Sequence, residues 1–164
     1  MRNAMSFDDF KEGLGALLEP SAVRPTEFGK RGYSLEVTAR RDQVEPIARA
    51  AREADLFLEA ITAVDFADAF QVIYLYNAFG VGSRAQVRVA LTKGESLPTV
   101  STVYDAALWH EREVFDLFGI PFDNHPDLRR LLLPEDADFH PLRKDFGKVH
   151  GVRSANEIYG EPTA

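Results

Sequence analysis

The chain has 164 residues, 45% hydrophobic and 27% charged, with a net charge of -7 and no cysteine. That length is one domain's worth, able to bury roughly 70% of its unfolded surface, and the negative charge argues against nucleic acid, whose phosphates need a basic surface. The missing thiols exclude disulfides and the cysteine ligation that iron–sulfur clusters normally take. No apolar run approaches the ~18 residues of a membrane span, and the acidic start MRNAMSFDDF does not read as an export signal. Membrane contact is therefore expected only through a partner.

In chain order, Ser6 and Asp9 resemble a helix-start box. Phe7, Phe10, Leu14, Leu17 and Leu18 then share one helical face, and Pro20 ends it. Tyr33, Leu35 and Val37 alternate with polar residues, as a half-buried strand requires. Pro46 to Ala54 reads as a second helix, with the proline in its first turn. Strands follow at Phe57–Val64, Phe70–Tyr76 and Ala85–Leu91, the last two joined by the turn residues Gly80-Val81-Gly82-Ser83. A helical pattern runs from Val103 to Phe118 and stops at Gly119-Ile120-Pro121-Phe122. The order predicts a two-layer α+β fold, a mixed or antiparallel sheet with helices packed on one face.

Beyond Gly119 the character changes. Five of the nine prolines fall in the last 46 residues, so no long periodic segment is expected there beyond a turn of helix at Leu128–Leu133. Its first half is too rich in Phe and Leu for disorder. The chain therefore divides into an α+β domain at 1–118, an extended irregular docking arm at 119–150, and a mobile tail at 151–164.

Glu111 to Phe146 is the densest chemistry in the chain. The helix carries Glu111, Arg112, Glu113 and Asp116, and ends at Phe118-Gly119. The arm then says nearly the same thing twice: His125-Pro126-Asp127-Leu128-Arg129-Arg130 and His140-Pro141-Leu142-Arg143-Lys144-Asp145. Proline holds the residue before it extended, so each histidine is presented on a bend, followed by a leucine anchor and an outward cation. The helix is apolar on more than one side. The arm folding back over it, a second protein covering it, or both together would account for this. Carboxylates of the helix are expected to grip Arg129, Arg130 or Arg143, whose planar forks suit two hydrogen bonds. His110, on an apolar face, is expected to be a hydrogen-bonded core residue. Acid–base catalysis by the helix carboxylates finds little support, because the sequence does not show the burial it needs. A metal site from His125, His140 and Asp127 or Asp138 lacks a compact ligand pair. No nucleotide loop or nucleophile elbow is present.

The segments E-R-E-x-x-D-L-F-G-I, H-P-D-L-R-R and H-P-L-R-K-D-F resemble the 30 kDa-subunit family of proton-pumping NADH:quinone oxidoreductases (respiratory complex I), which has relatives in membrane-bound hydrogenases. A weaker resemblance runs back through Val64-Asp65 and Arg84. The pattern is departed from at Ala137-Asp138-Phe139 and Val103-Tyr104-Asp105, which leaves the branch open. The resemblance implies a non-catalytic, cofactor-free component of the hydrophilic arm, peripheral on the cytoplasmic face of the cell membrane. Its partners would be the large quinone-site chain and neighbouring iron–sulfur chains of the complex. Flavin, clusters and quinone would sit on those partners. The alternatives are the equivalent component of a [NiFe] hydrogenase or other-donor complex, a free-standing metal enzyme using His125 and His140, and a soluble binding module.

Overall fold

A computed structural model describes residues 7–79 and 83–146. The elements are α1 (Phe7–Leu17), β1 (Val23–Pro25), α2 (Phe28–Arg31), β2 (Leu35–Ala39), α3 (Val44–Glu53), β3 (Phe57–Asp65), β4 (Ala69–Asn77), β5 (Ala85–Thr92), β6 (Leu97–Pro98), α4 (Ala107–Phe118) and β7 (Phe122–Asp123). The class is α+β, as the pattern predicts. Part of the β4–β5 turn and the tail from residue 147 lie outside the described residues.

Five strands form one mixed sheet in the order β1-β2-β5-β4-β3. Within it only β2 and β5 run parallel; the remaining pairs are antiparallel. Register puts Val37, Val87, Tyr74 and Ile61 in one row across four strands, all buried. The rows beside it, Leu35-Ala85-Tyr76-Leu58 and Ala39-Val89-Val72-Ala63, are buried as well. These rows carry the helices. Phe10 of α1 packs its ring 6.3 Å from Tyr76, and Ile47, Val114 and Phe118 join the same core. Each fully buried large side chain of this kind stabilises by roughly 1.5–3 kcal/mol. The opposite face carries Glu36, Thr38, Gln86 and Arg88 with Ile73 and Leu75, and Glu36 there sits 2.9 Å from Arg88.

Several elements differ from expectation. The three-residue β1 and the single-turn α2 are too short to leave a periodic signal. α4 starts at Ala107, four residues later than the apolar pattern suggests. Val103 and Tyr104 belong instead to a turn, whose Tyr104 hydroxyl reaches inward to the Leu56 carbonyl at 2.8 Å. The expected helical turn at Leu128–Leu133 is absent, because its amides go elsewhere.

Candidate functional site

α4 ends where Gly119 adopts φ +73°, returning its N–H to the Phe115 carbonyl at 2.8 Å. Only glycine takes that conformation at little cost. A Cβ here would also meet the His140 ring at 2.6 Å, so the position is constrained twice.

Asp116, in the last turn of α4, is fully buried. Its Oδ2 accepts the N–H groups of Leu131, Leu132 and Leu133 at 3.1, 2.7 and 3.0 Å, which is why those amides form no helix. Its Oδ1 lies 3.1 Å from the Arg130 guanidinium. Burial alone would raise the Asp116 carboxyl; the three amides and Arg130 outweigh it and hold it below the usual carboxylate range. Arg130 also donates to the Asp116 carbonyl at 3.0 Å and to the Ala137 carbonyl. His140 Nδ1 meets the same Asp116 carbonyl at 2.8 Å. A helix C-terminus, rich in unpaired carbonyls and partial negative charge, suits such donors.

The expected lattice of helix and arm therefore forms, through one of the three candidate arginines. Arg130 is the arginine that grips a helix carboxylate. Arg129 instead pairs with Asp127 of its own loop at 3.0 Å, with both side chains exposed. Arg143 lies 3.6 Å from Asp145, with its guanidinium 5.7 Å from the Phe70 ring centre. Arg112 turns away from Asp116 and donates to the carbonyls of Arg129 and Arg130 at 3.3 and 2.8 Å, beside the exposed Trp109. Leu128 packs against the core as an anchor should, but Leu142 is exposed and ties down only its backbone, N–H to the Leu117 carbonyl at 3.0 Å. Lys144 N–H then reaches Asp65 at 2.8 Å. Asp65 is buried and faces Lys93 at 2.8 Å. Burial would raise its carboxyl, and Lys93, the Lys144 amide and Arg143 together bring it down.

Glu111 is also fully buried, but among the described residues no arginine pairs with it. Thr99 Oγ1 lies 2.5 Å and the Val100 N–H 2.7 Å from its carboxylate. Burial dominates over these two hydrogen bonds and pushes the carboxyl up to about 7. His125 Nε2 sits 3.9 Å away and contacts the Leu108 carbonyl at 3.2 Å. His110 is half-buried, while Glu113 and Pro126 are exposed and Pro141 is half-buried.

Chemically this is a buttress. His125 and His140 attach to Leu108 and Asp116 of α4, eight residues or about 12 Å apart along a helix, so they do not share a site. Among the described residues no three His, Cys, Asp or Glu side chains converge as a metal site. An open groove of about 450 Å³ between α1 and α3, lined by Gly13, Pro46 and Ala50 among others, takes in none of the motif residues. Residues that sequence reasoning did not single out include Thr99, Lys93 and Glu59. Glu59 receives Arg84 in a double contact at 2.6 and 2.8 Å. The β3 bulge that presents Glu59 leaves no mark in the alternation pattern.

Residues 37–151 match the family model described as the respiratory-chain NADH dehydrogenase 30 kDa subunit. The chain belongs to this family. The 30.4 kDa subunit of mitochondrial NADH-ubiquinone oxidoreductase from Neurospora crassa is 45% identical over 144 residues, 85% of this chain and 44% of that protein. The corresponding NADH-quinone oxidoreductase subunit of Trichlorobacter lovleyi is 38% identical over 122 residues, 71% of this chain and 75% of that one. The chain thus spans under half of the fungal relative and three quarters of the bacterial one. In structure it is similar to a chain of the membrane-bound sulfane sulfur reductase, an archaeal respiratory membrane complex, with TM-score 0.68 and 26% identity, covering 83% and 84% of the two chains. Among the described residues no helix is long and apolar enough to cross a membrane.

Proposed function

We propose that this chain is a non-catalytic subunit of a membrane-bound NADH:quinone oxidoreductase, peripheral on the cytoplasmic side. It docks on the large quinone-site subunit beside iron–sulfur subunits and carries none of the electron-transfer groups itself. Family membership supports the complex, and the absence of cysteine from the sequence supports the lack of clusters. One observation carries the docking role. The polar seam of Asp116, Arg130 and His140 ties the arm to α4, while Trp109 of α4 and Leu132 and Leu142 of the arm are left 60%, 66% and 52% exposed. A loop so firmly held with large apolar side chains outward is built to present them to another protein.

Cross-linking from Trp109 and Leu132, with a photoreactive residue at each, tests this in native membranes. The large quinone-site subunit is the expected product at both positions. Labelling of water alone, or of chains from no respiratory complex, contradicts the proposal. The archaeal structural relative supports a second reading, the same position in a complex with another electron donor. The companion chains recovered with this one separate the two.

A further inference from the structure

Glu111 is the buried acid that the arm's lattice does not use. The groups facing it come from three elements. Thr99 and Ser101 stand on the segment after β6, His125 on the arm, and Tyr74 and Tyr76 on β4. Among the described residues, His125 is the base within 4 Å of its carboxylate. The hydrogen bonds around that imidazole assign its proton. The Asp127 N–H donates to Nδ1 at 3.1 Å, so Nδ1 is the acceptor and Nε2 carries the hydrogen. That Nε2–H is held by the Leu108 carbonyl at 3.2 Å, with the Glu111 oxygen 3.9 Å away as a second acceptor just out of reach.

Thr99 supplies the other half of the arrangement. Its one hydroxyl hydrogen has two neighbours, Glu111 Oε2 at 2.5 Å and Ser101 Oγ at 2.8 Å, and it already accepts the Ser101 N–H at 3.1 Å. With a proton on Oε2, Glu111 donates to Thr99 and Thr99 donates onward to Ser101, which is half-buried near the surface. Without it, Thr99 turns its hydrogen to the carboxylate and accepts from the Ser101 hydroxyl instead of donating to it. A hydroxyl relay thus links the buried acid to the protein's edge.

We propose that Glu111 is a proton-binding site coupled to the arm: protonated, it leaves His125 tied to the Leu108 carbonyl of α4, and ionised, it draws the His125 Nε2–H to itself and shifts the His125–Asp127 turn. A buried carboxylate needs donors, and with Thr99 and Val100 already engaged, the His125 Nε2–H is the further donor in line. Closing 3.9 Å to a hydrogen bond of about 3 Å moves the ring by about an ångström. Nδ1 holds the Asp127 amide, so the backbone of the turn follows. The device operates near neutral pH because burial pushes the carboxyl up to about 7. It goes beyond the docking role and does not depend on it.

The test is an NMR titration of the full chain, following the glutamate side-chain carboxyls, the His125 ring nitrogens and the Asp127 amide between pH 4 and 9. Expected is one carboxyl with its midpoint near 7 instead of 4.5, and an Asp127 amide and His125 Nε2–H that move with that same midpoint. In Glu111→Gln the coupled movement disappears. A Glu111 midpoint near 4.5, or an amide transition that survives in Glu111→Gln, overturns the proposal. If the variant does not fold, the native titration decides alone: coincident midpoints support the coupling, and separate midpoints refute it.

Discussion

Two carboxylates five positions apart on one helix, Asp116 and Glu111, are both fully buried and are driven in opposite directions. What separates them is the number of donors. Asp116 faces three amides and a guanidinium, whereas Glu111 faces one amide and one hydroxyl. The consequences for stability have opposite signs. Asp116, held below its ordinary value, adds stability above the unfolded carboxyl range that is lost as pH falls through its folded value. Glu111, held above, adds stability that is complete below about 4.5 and lost as pH rises toward 7. Glutamine mimics the protonated acid, so Glu111→Gln should gain on the native protein as pH rises from about 5 to 8, by on the order of 3 kcal/mol. Denaturant unfolding across that range checks it; a difference independent of pH contradicts it. Asp116→Ala leaves Arg130 and three amides without their carboxylate and should cost about 3–5 kcal/mol. Asp116→Asn, which keeps an acceptor, should cost less. Equal stabilities of both variants and the native chain at neutral pH would show that the seam contributes nothing.

At the scale of elements, α4 and the arm are one unit, and they differ in how well sequence reveals them. The stop at Gly119 is legible because a glycine before Ile-Pro-Phe ends a helical period. The strands β3 to β5 are legible from alternation. The arm's contacts are not, because three arginines of similar spacing compete for the helix carboxylates and an irregular backbone decides among them. The expected turn at Leu128–Leu133 fails for a related reason. Asp116, distant in sequence and invisible to any local periodicity, captures the amides a helix would use. Those amides should exchange slowly although they belong to no helix or strand, while those of Glu135 and Asp136 exchange quickly. Hydrogen exchange measures this, and fast exchange at Leu132 would contradict the capture. Glycine substitutions separate conformation from contact. Gly94 has φ +97° with open space around it, whereas Gly119 has the His140 ring against it. Gly94→Ala should cost about 1–2 kcal/mol for its left-handed backbone. Gly119→Ala should cost clearly more, and should speed exchange of the Leu142 amide. Equal costs at both sites would show that His140 yields freely.

As a whole, the molecule is a mixed-sheet domain whose buried charges hold the arm against the end of α4. The family is legible in the motif, but the motif's reason is not; only the fold shows that Arg130 and His140 serve the end of α4. The proposed docking role is tested most directly by Arg130→Ala, with Arg130→Lys beside it, in the native membrane complex. Intact complex is quantified together with quinone reduction. Removing one partner of a buried pair costs about 3–5 kcal/mol, and lysine lacks the planar fork that serves Asp116 and Ala137 together. A structural seam requires that Arg130→Ala lower the amount of assembled complex, that Arg130→Lys restore part of it, and that turnover per assembled complex stay unchanged. Full assembly of the Arg130→Ala complex with quinone reduction lost would contradict it.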